Sequence, residues 1–377
     1  MSSLSTPGIP GTPGSHSTPT SIDSIPDAAR AQLSAYISAR RPEIEAIGEP
    51  VSTAVDHLSN FVLGGGKRIR PLYGWAGFVG AGGLEKGTED PEAVLRAVSS
   101  LEFIQACALI HDDIIDSSDT RRGSPTIHRA VAAEHSQGQH FGEPGHYGLS
   151  VAILVGDLAL AWADDMFADS GISPEAFARA REPWRGMRTE VIGGQLLDIS
   201  LESSGSEDMT LSRSVNRFKT AAYTIERPLH IGAALAGADE ELIEAFRGYG
   251  HDIGIAFQLR DDLLGVFGDP GITGKSAGDD LREGKRTELL SQALAHADDV
   301  DPEAAAELRA GVGTVSEPED IARLADIIAW TNAPEQMEQR IDELTRSGLA
   351  HLDRARVPDS VRSTLHSLAI RATERRT

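Results

Sequence analysis

A long apolar run, Leu101 to Ile110, leads directly into three aspartates, Asp112, Asp113 and Asp116. The run carries almost no charge and is typical of a buried helix. At helical spacing Asp112 and Asp116 lie one turn apart on the same face, and Asp113 joins Asp116 at a spacing of three residues. Three acids following such a helix make a poor surface face. The pattern therefore predicts a buried helix that ends in a cluster of carboxylates suited to a metal ion.

A second acidic cluster follows another apolar stretch about 150 residues later, where Phe257-Gln258-Leu259-Arg260 precedes Asp261 and Asp262. Crowded carboxylates repel one another unless a cation lies between them. Magnesium prefers oxygen ligands and commonly bridges carboxylates to phosphate oxygens. Two clusters that face each other would hold a phosphorylated substrate through Mg²⁺. Asp269 is a further candidate ligand, although the turn at Gly268-Asp269-Pro270 explains it equally well.

The remaining pattern is helical, because Ala, Leu and Ile are frequent and strand-like alternation is scarce. Two segments are predicted to be loops, 134–149 and 268–280. The fold class is therefore all-α, with helices in a bundled or orthogonal arrangement. The predicted helices are 28–47, 51–63, 71–81, 90–116, 149–169, 174–201, 212–236, 239–267, 281–297, 302–311, 317–330, 334–352 and 358–374.

Residues 1–27 differ from the rest, since Ser, Thr, Pro and Gly dominate and no apolar periodicity is present. They are predicted to form a disordered tail, followed by one domain over 28–377. The tail lacks the charged and apolar regions of a secretory signal. No transmembrane helix is expected either. The single cysteine, Cys107, fits a reducing cytoplasm.

The formal net charge is −22, from 35 Lys and Arg against 57 Asp and Glu. Nucleic-acid binding depends on neutralising phosphates with basic side chains, so this balance argues against it. Basic residues are nevertheless concentrated around a few motifs, including Gly64-Gly65-Gly66-Lys67-Arg68-Ile69-Arg70-Pro71 and Arg121-Arg122-Gly123. Small molecules that carry phosphate remain compatible with these local positive patches.

The two aspartate clusters and the triple-glycine motif, in this order, closely resemble the trans-isoprenyl diphosphate synthases, or polyprenyl synthetases. The motifs extend from about Leu58 to Thr287, and bacterial geranylgeranyl diphosphate synthases are the most similar members. The resemblance implies the all-helical isoprenoid synthase fold, with helices around a central cavity. It also implies Mg²⁺-dependent condensation of isopentenyl diphosphate with an allylic diphosphate, and a homodimer.

The resemblance assigns roles to individual residues. Metal ligands would be Asp112, Asp116, Asp261 and Asp262, with Asp113 supporting the first cluster. Isopentenyl diphosphate would be bound by Lys67, Arg70, Gln105 and Arg122, and the allylic diphosphate by Arg121, Lys219 and Lys275. Lys219, Thr220 and Gln258 would face the developing allylic cation. Gln195 and Asp198 would line the cavity or make packing contacts within the helix bundle.

The chain departs from the usual family pattern at two positions. Gly265 stands where the second cluster often has a third aspartate, and Gln105 stands where a histidine is common. An amide at position 105 can still donate to phosphate. The ligands of the second cluster beyond Asp261 and Asp262 therefore stay open.

Cys107 and Ala108 precede Asp112 by about one turn and are small, whereas enzymes that make farnesyl diphosphate tend to carry bulk there. Small residues leave a tunnel open, which favours all-trans geranylgeranyl diphosphate made from a dimethylallyl, geranyl or farnesyl primer. A farnesyl or longer product, a class I terpene cyclase, and a non-catalytic partner subunit remain as alternatives. A cyclase usually has Asn or Asp with Ser and Glu in its second motif, which this chain lacks.

Overall fold

A computed structural model of the chain describes residues 22–268 and 278–374, and these residues are overwhelmingly helical. A short 3₁₀ turn, Ile22–Ser24, leads into the first helix. The helices, numbered α1 to α18 along the chain, are Ile25–Ile47, Glu49–Leu63, Ile69–Gly80, Gly83–Lys86, Pro91–Ser99, Leu101–Ile115, Ile127–Gln137, Pro144–Ala168, Pro174–Ser204, Met209–Val215, Arg227–Leu235, Glu240–Phe267, Asp279–Glu283, Glu288–Val300, Pro302–Gly311, Pro318–Trp330, Ala333–Arg354 and Asp359–Thr373. A π-helix, Asn216–Glu226, joins α10 to α11. The all-α prediction is confirmed.

Several boundaries differ from the predicted ones. Helix α1 begins at Ile25, which is fully buried, rather than at residue 28. The predicted loop 134–149 is wrong over most of its length, because α7 continues to Gln137 and α8 begins at Pro144. Glu143 caps α8 by accepting hydrogen bonds from the backbone N–H groups of the first turn, the bond from Gly145 being 2.8 Å long. A capping acid before a first-turn proline is a helix-start signal that the Gly- and His-rich composition obscured.

A two-residue hairpin was also missed. Thr120–Arg121 (β1) pairs antiparallel with Ser124–Pro125 (β2). The tight turn between them places Arg122 at a positive φ of 54° and Gly123 at 76°. This turn is what presents the two adjacent arginines beside the end of α6.

Two hydrophobic cores hold the helices together. The larger one lies among α1–α3, α5–α9, the π-helix, α11, the first half of α12 and α18, with Trp75, Phe103 and Tyr249 among its largest buried side chains. The second lies between the later half of α12 and helices α13–α17. Helix α12 runs through both cores, and its middle packs on the π-helix. It therefore holds the second aspartate cluster at a fixed place relative to the first.

One helical stretch in the described chain, Pro91–Ile115, is long and apolar enough to span a membrane by length and composition. However, 78% of its apolar window is buried inside the structure. Such burial is what a core helix shows, and α6 within this stretch carries the first aspartate cluster.

Candidate active site

A cavity of about 1050 Å³ opens between α3, α6, α9, the π-helix, α12 and α13. That volume lies at the upper end of the range for small-molecule sites. One end is lined by charged side chains from all of these elements. The other end is an apolar extension between α6 and α9, which includes Ile104, Ala108 and Ile192. The cavity can therefore accept a ligand with an anionic head and a hydrocarbon tail.

Asp112 lies at the centre of the charged end. Its carboxylate accepts hydrogen bonds from Lys219 Nζ at 3.0 Å, Gln195 Nε2 at 3.1 Å and Arg121 Nη2 at 3.4 Å. Burial alone would raise the pKa of Asp112, but Lys219 and Arg121 outweigh it and hold the pKa below its usual value. Asp112 is therefore ionised at neutral pH.

Lys219 is shared between two acids. Its ammonium group also donates to Asp198 Oδ2 at 2.6 Å. Burial would lower the pKa of Lys219, yet Asp112 and Asp198 raise it. This lysine remains a cation within the cavity and is held by α6 and α9 together.

The other two acids of the first cluster have different surroundings. Asp113 is 1% exposed and accepts a 2.6 Å bond from Arg121 Nε, so it anchors that arginine rather than facing the cavity. Asp116 caps the end of α6. Burial, together with the nearby charge of Asp112, raises the pKa of Asp116 to about 6. A carboxylate destabilised in this way is suited to a cationic partner.

The second cluster is connected to the π-helix by hydrogen bonds. Thr220 Oγ1 donates to Gln258 Oε1 at 2.6 Å, and Gln258 Nε2 donates to Asp262 Oδ1 at 2.7 Å. Asp262 is 2% exposed, and its Oδ2 has no hydrogen-bond partner within residues 22–268 and 278–374. Burial and the neighbouring Asp280 and Asp261 raise the pKa of Asp262 well above its usual value. Asp261 lies beside it on the cavity wall.

Asp280, on α13, was not identified as a site residue from the sequence. A Cβ atom added at Gly265 would lie 2.0 Å from Asp280 Oδ2, so this carboxylate occupies the space beside Gly265. The missing third aspartate of the second motif is thus matched in space by an acid from 15 positions later. Asp280 follows the segment 269–277, and nothing in its local pattern indicated this position.

Lys285, Arg286 and Glu202 were also missed. Lys285 lies on the cavity wall, with Nζ 3.8 Å from Asp280 and 2.8 Å from Glu283. Burial would lower the pKa of Lys285, but these two acids raise it. Arg286 also lines the cavity, and its buried Nε has no partner within the described chain. The sequence Gly284-Lys285-Arg286-Thr287 was a local signal that could have found both basic residues.

Glu202 lies on α9, one turn after Asp198. Burial, Asp198 and Asp116 raise its pKa to about 7. It therefore adds to the excess of acid near the first cluster, where a cation would be stabilised.

The opposite side of the charged end is basic. The Arg70 guanidinium stacks 3.7 Å above the Tyr223 ring, and its Nη2 donates to Thr224 Oγ1 at 2.9 Å. Its Nε is buried without a hydrogen-bond partner in the part of the chain that the structure describes. An orphaned buried donor is costly unless a ligand satisfies it, so this position suits an anion.

Arg122 extends across the glycine loop towards Arg70. A Cβ at Gly66 would lie 3.2 Å from both terminal nitrogens of Arg122, so the glycine provides the room for this guanidinium. Partial burial and the positive charges of Arg68, Arg121 and Arg70 lower the pKa of Arg122, although its side chain stays open to solvent. Mutual repulsion among these groups is relieved by a bound anion.

Arg68 supports the loop from behind. It forms a 2.7 Å ion pair with Glu102, both side chains being almost completely buried, and also donates to the Val62 carbonyl. Its backbone adopts a left-handed φ of 49°. Such strain outside glycine persists only where the surrounding contacts hold it. Lys67 and Arg70 are thereby directed into the cavity.

The remaining predicted residues divide into two groups. Gln105, Cys107 and Ala108 line the cavity on α6. Burial raises the pKa of the Cys107 thiol to about 11, which leaves it protonated and unreactive at neutral pH. Lys275 and Asp269 lie outside the described residues.

Lys219 and Thr220 belong to the π-helix, a rare element that often marks functional positions. Glycines on its neighbours allow close backbone approach. A Cβ at Gly194 of α9 would lie 2.4 Å from Lys219 N, and one at Gly254 of α12 would lie 2.6 Å from Ala221 Cα. Two helices therefore hold the π-helix in place and fix the direction of Lys219.

The site fits a divalent cation in its donor type. Asp112, Asp261 and Asp262 line the cavity with carboxylate oxygens, which hard cations prefer. Asp262 Oδ2 lacks a partner, and Asp116 carries a raised pKa. Within residues 22–268 and 278–374, however, no three His, Cys, Asp or Glu side chains are grouped closely enough to hold one ion by themselves. A cation there would share its coordination with substrate oxygens and water, as Mg²⁺ commonly does.

Comparison with known proteins identifies relatives across most of the chain. The sequence profile of the family named polyprenyl synthetase matches residues 52–329. A geranylgeranyl pyrophosphate synthase from Corynebacterium glutamicum, solved in complex with isoprenyl diphosphate and magnesium, is 63% identical. It superposes with a TM-score of 0.92 over 94% of this chain and 99% of that one.

Curated relatives are more distant and differ in product. A geranylfarnesyl diphosphate synthase from Aeropyrum pernix is 35% identical, over 77% of this chain and 85% of its own length. A geranylgeranyl diphosphate synthase from Mycobacterium tuberculosis is 30% identical, over 85% of each chain. The family profile spans well over half of the sequence, and these relatives share its length. The chain belongs to the polyprenyl synthetase family.

Proposed function

We propose that this protein joins isopentenyl diphosphate to an allylic diphosphate and makes all-trans geranylgeranyl diphosphate, releasing diphosphate. Dimethylallyl, geranyl or farnesyl diphosphate would serve as the primer. The observation that carries the proposal is a single cavity in which a basic pocket, a set of acids paired with lysine, and an apolar extension meet. Two anionic heads and one hydrocarbon tail match these three regions.

The basic pocket of Lys67, Arg70 and Arg122 would bind isopentenyl diphosphate. The unpartnered Nε of Arg70 would donate to a phosphate oxygen, and Tyr223 beneath the guanidinium would keep it oriented. Gln105 lines the same cavity and would donate its amide. Planar guanidinium groups suit phosphate because two donors reach two oxygens at once.

Arg121 and Lys219 would bind the allylic diphosphate, together with Lys285. Both Arg121 and Lys219 are already oriented by Asp112. Fixed positive charge of this kind stabilises a departing diphosphate without reorganisation. Lys275 is proposed for the same group from the family resemblance.

Mg²⁺ is the proposed cofactor, with Asp112 and Asp116 on one side and Asp261 and Asp262 on the other. When bound, it would supply Lewis-acid charge that favours loss of the diphosphate. Asp113 would act by fixing Arg121. Asp280 lies close enough to Asp262 to contribute to the second side.

The allylic cation that forms would face Thr220 and Gln258. Their mutual hydrogen bond leaves lone pairs of the threonine and glutamine oxygens available towards the cavity. The double bond of isopentenyl diphosphate would attack this cation, and the released diphosphate would accept the last proton. Apolar walls exclude the water that would otherwise trap the cation.

Product length follows from the apolar extension. Ala108 lies on the cavity wall one turn from Asp112 and leaves the extension open. In Ala108→Phe the added ring has little room in a packed wall, so farnesyl diphosphate should rise at the expense of longer products. Chromatography of the products tests this. Ala106→Phe is not a suitable control, because Ala106 is buried in the core. An unchanged product length would refute the assignment of Ala108 to the wall of the product tunnel.

The function itself is tested by incubating purified protein with Mg²⁺, isopentenyl diphosphate and farnesyl diphosphate. A chain-elongating enzyme yields geranylgeranyl diphosphate. A cyclase would yield a hydrocarbon or alcohol from the allylic diphosphate alone, and a non-catalytic partner subunit would yield nothing. The basic pocket for a second diphosphate favours elongation over cyclisation.

A homodimer in the cytoplasm is part of the proposal. Helix α8 exposes Tyr147, Leu149, Ile153 and Leu154, none of which lines the cavity. Several exposed large apolar side chains on one helix favour a contact between subunits. Light scattering should give twice the mass of one chain, and Leu154→Glu should reduce it.

A further inference from the structure

The apolar extension of the cavity has an unusual end. On α9 the residues that line the cavity run from Arg188 to Ile199, and Arg188 is the one nearest the start of the helix. It lies seven residues before Gln195, which is about 10 Å along a helix axis. A charged side chain therefore stands at the depth where a growing hydrocarbon tail would arrive.

Two contacts fix the Arg188 guanidinium. It is ion-paired with Asp164 of α8 and lies 5.6 Å from the centre of the Trp184 ring. Trp184 in turn donates from Nε1 to Asp164 Oδ1 at 2.6 Å and stacks on Phe167 at 4.2 Å. The arrangement joins α8 to α9 and limits the rotamers that Arg188 can adopt.

A hydrocarbon tail that reached Arg188 would meet a charged group at this end of the cavity. Arg188 Nε is buried and has no hydrogen-bond partner within the described residues. A prenyl tail offers no acceptor, so contact with it would remove water from a charged group without replacement, which is costly. The apolar residues nearer Asp112, such as Ile192 and Ala108, carry no such cost.

We propose that Arg188, held by Asp164 and Trp184, is the floor of the product tunnel and sets the upper limit of chain length. The proposal rests on the proposed function. Ala108 decides whether the tunnel is open near the aspartates, and Arg188 decides where it ends. Arg188 is a specificity-determining residue that acts through desolvation as well as through its volume.

Arg188→Met tests this. Methionine is unbranched and makes favourable contacts with aromatic rings, so it should pack on Trp184. Asp164 keeps its bond from Trp184 and is 47% exposed, so no buried charge is stranded. The matched control is Arg185→Met, the same change on an exposed residue of the same helix.

Products are separated by chain length after incubation with Mg²⁺, farnesyl diphosphate and excess isopentenyl diphosphate. Arg188→Met should shift most of the product beyond geranylgeranyl diphosphate. Arg185→Met should match the wild type. If Arg188→Met fails to fold, Arg188→Ala opens the same space and should lengthen the product likewise.

If Arg188→Met or Arg188→Ala makes products of the same length as the wild type, or shorter ones, Arg188 is not the floor of the tunnel. The proposal is also refuted if Arg185→Met lengthens the product to the same extent. Absence of any prenyl diphosphate product from the wild type is a separate outcome, which refutes the proposed function.

Discussion

Asp112-Asp113 and Asp261-Asp262 follow similar apolar helical turns, yet the structure balances their charges differently. The first pair is neutralised within the protein, because Lys219 and Arg121 bind it directly. The second pair has an amide partner at Asp262 and a further acid, Asp280, nearby. The pKa of Asp112 is lowered, whereas that of Asp262 is raised.

This difference indicates a division of roles. The first pair orients basic side chains that would hold the allylic diphosphate, and it does so without any ligand. In the second pair, Asp262 Oδ2 has no hydrogen-bond partner among residues 22–268 and 278–374, and a bound cation would supply one. The same dipeptide therefore orients basic side chains at one helix, in addition to its proposed metal binding, and leaves a carboxylate oxygen for a cation at the other.

The largest effect is expected at Asp112. Asp112→Ala should reduce turnover by about 10³, or roughly 4 kcal/mol of transition-state stabilisation, because it removes a cation ligand and the anchor of Lys219. Steady-state kinetics in saturating Mg²⁺ measures it. Asp157→Ala, at an exposed acid on α8, is the control. Near-normal turnover of Asp112→Ala would refute the assignment.

A third aspartate introduced into the second cluster should harm the enzyme. In Gly265→Asp the new Cβ would lie 2.0 Å from Asp280 Oδ2, so the existing carboxylate must move. If moving this carboxylate costs about 1–3 kcal/mol of transition-state stabilisation, activity should fall by about 5- to 150-fold. Adding Asp280→Ala should restore part of the loss. Higher activity in the single variant would show that Asp280 does not fill this position.

The first cluster also depends on the close approach of α9 to the π-helix. Gly194→Ala should displace Lys219 and lower turnover by about 10-fold, since its Cβ would meet Lys219 N at 2.4 Å. Gly193→Ala is the matched control, because its Cβ would meet no atom within 4 Å of those described. Kinetic measurement on both variants decides the point. Equal effects would contradict the proposed role of this contact.

The smallest effects concern stability, and they should have opposite signs at the two pairs. Asp262 has a raised pKa, so its contribution to stability falls as pH rises above the unfolded value of about 4. As pH rises, the free energy of unfolding of Asp262→Asn should therefore come to exceed that of the wild type, by about 1 kcal/mol or more. Asp112 has a lowered pKa, and its contribution is present above about pH 4 and lost on acidification.

Asp112→Asn should therefore be less stable than the wild type at neutral pH and approach it in acid. Urea unfolding of both variants in a metal chelator, from acidic to neutral pH, provides the comparison. A shift of the same sign in both variants would show that the two pairs do not differ in charge balance.

The helices and the two acidic clusters were predictable, because 3.6-residue periodicity and carboxylate spacing are local properties of the sequence. The π-helix was not, since its 11 residues have the composition of an ordinary helix and its geometry depends on Gly194 and Gly254 of other elements. The prediction of a loop around Pro144 was wrong for a different reason. Its Gly and His content outweighed the cap that Glu143 provides.

The sequence by itself determined the all-α class, the family motifs and the type of chemistry that carboxylates and basic residues in this order allow. Only the tertiary structure decided that Asp113 is buried under Arg121, that Asp280 stands beside Gly265, and that Arg188 lies on the cavity wall. Lys219 reaches Asp112 across 107 positions of the chain. Pairings of this kind arise from how helices pack, and local periodicity carries no information about which distant side chains will meet.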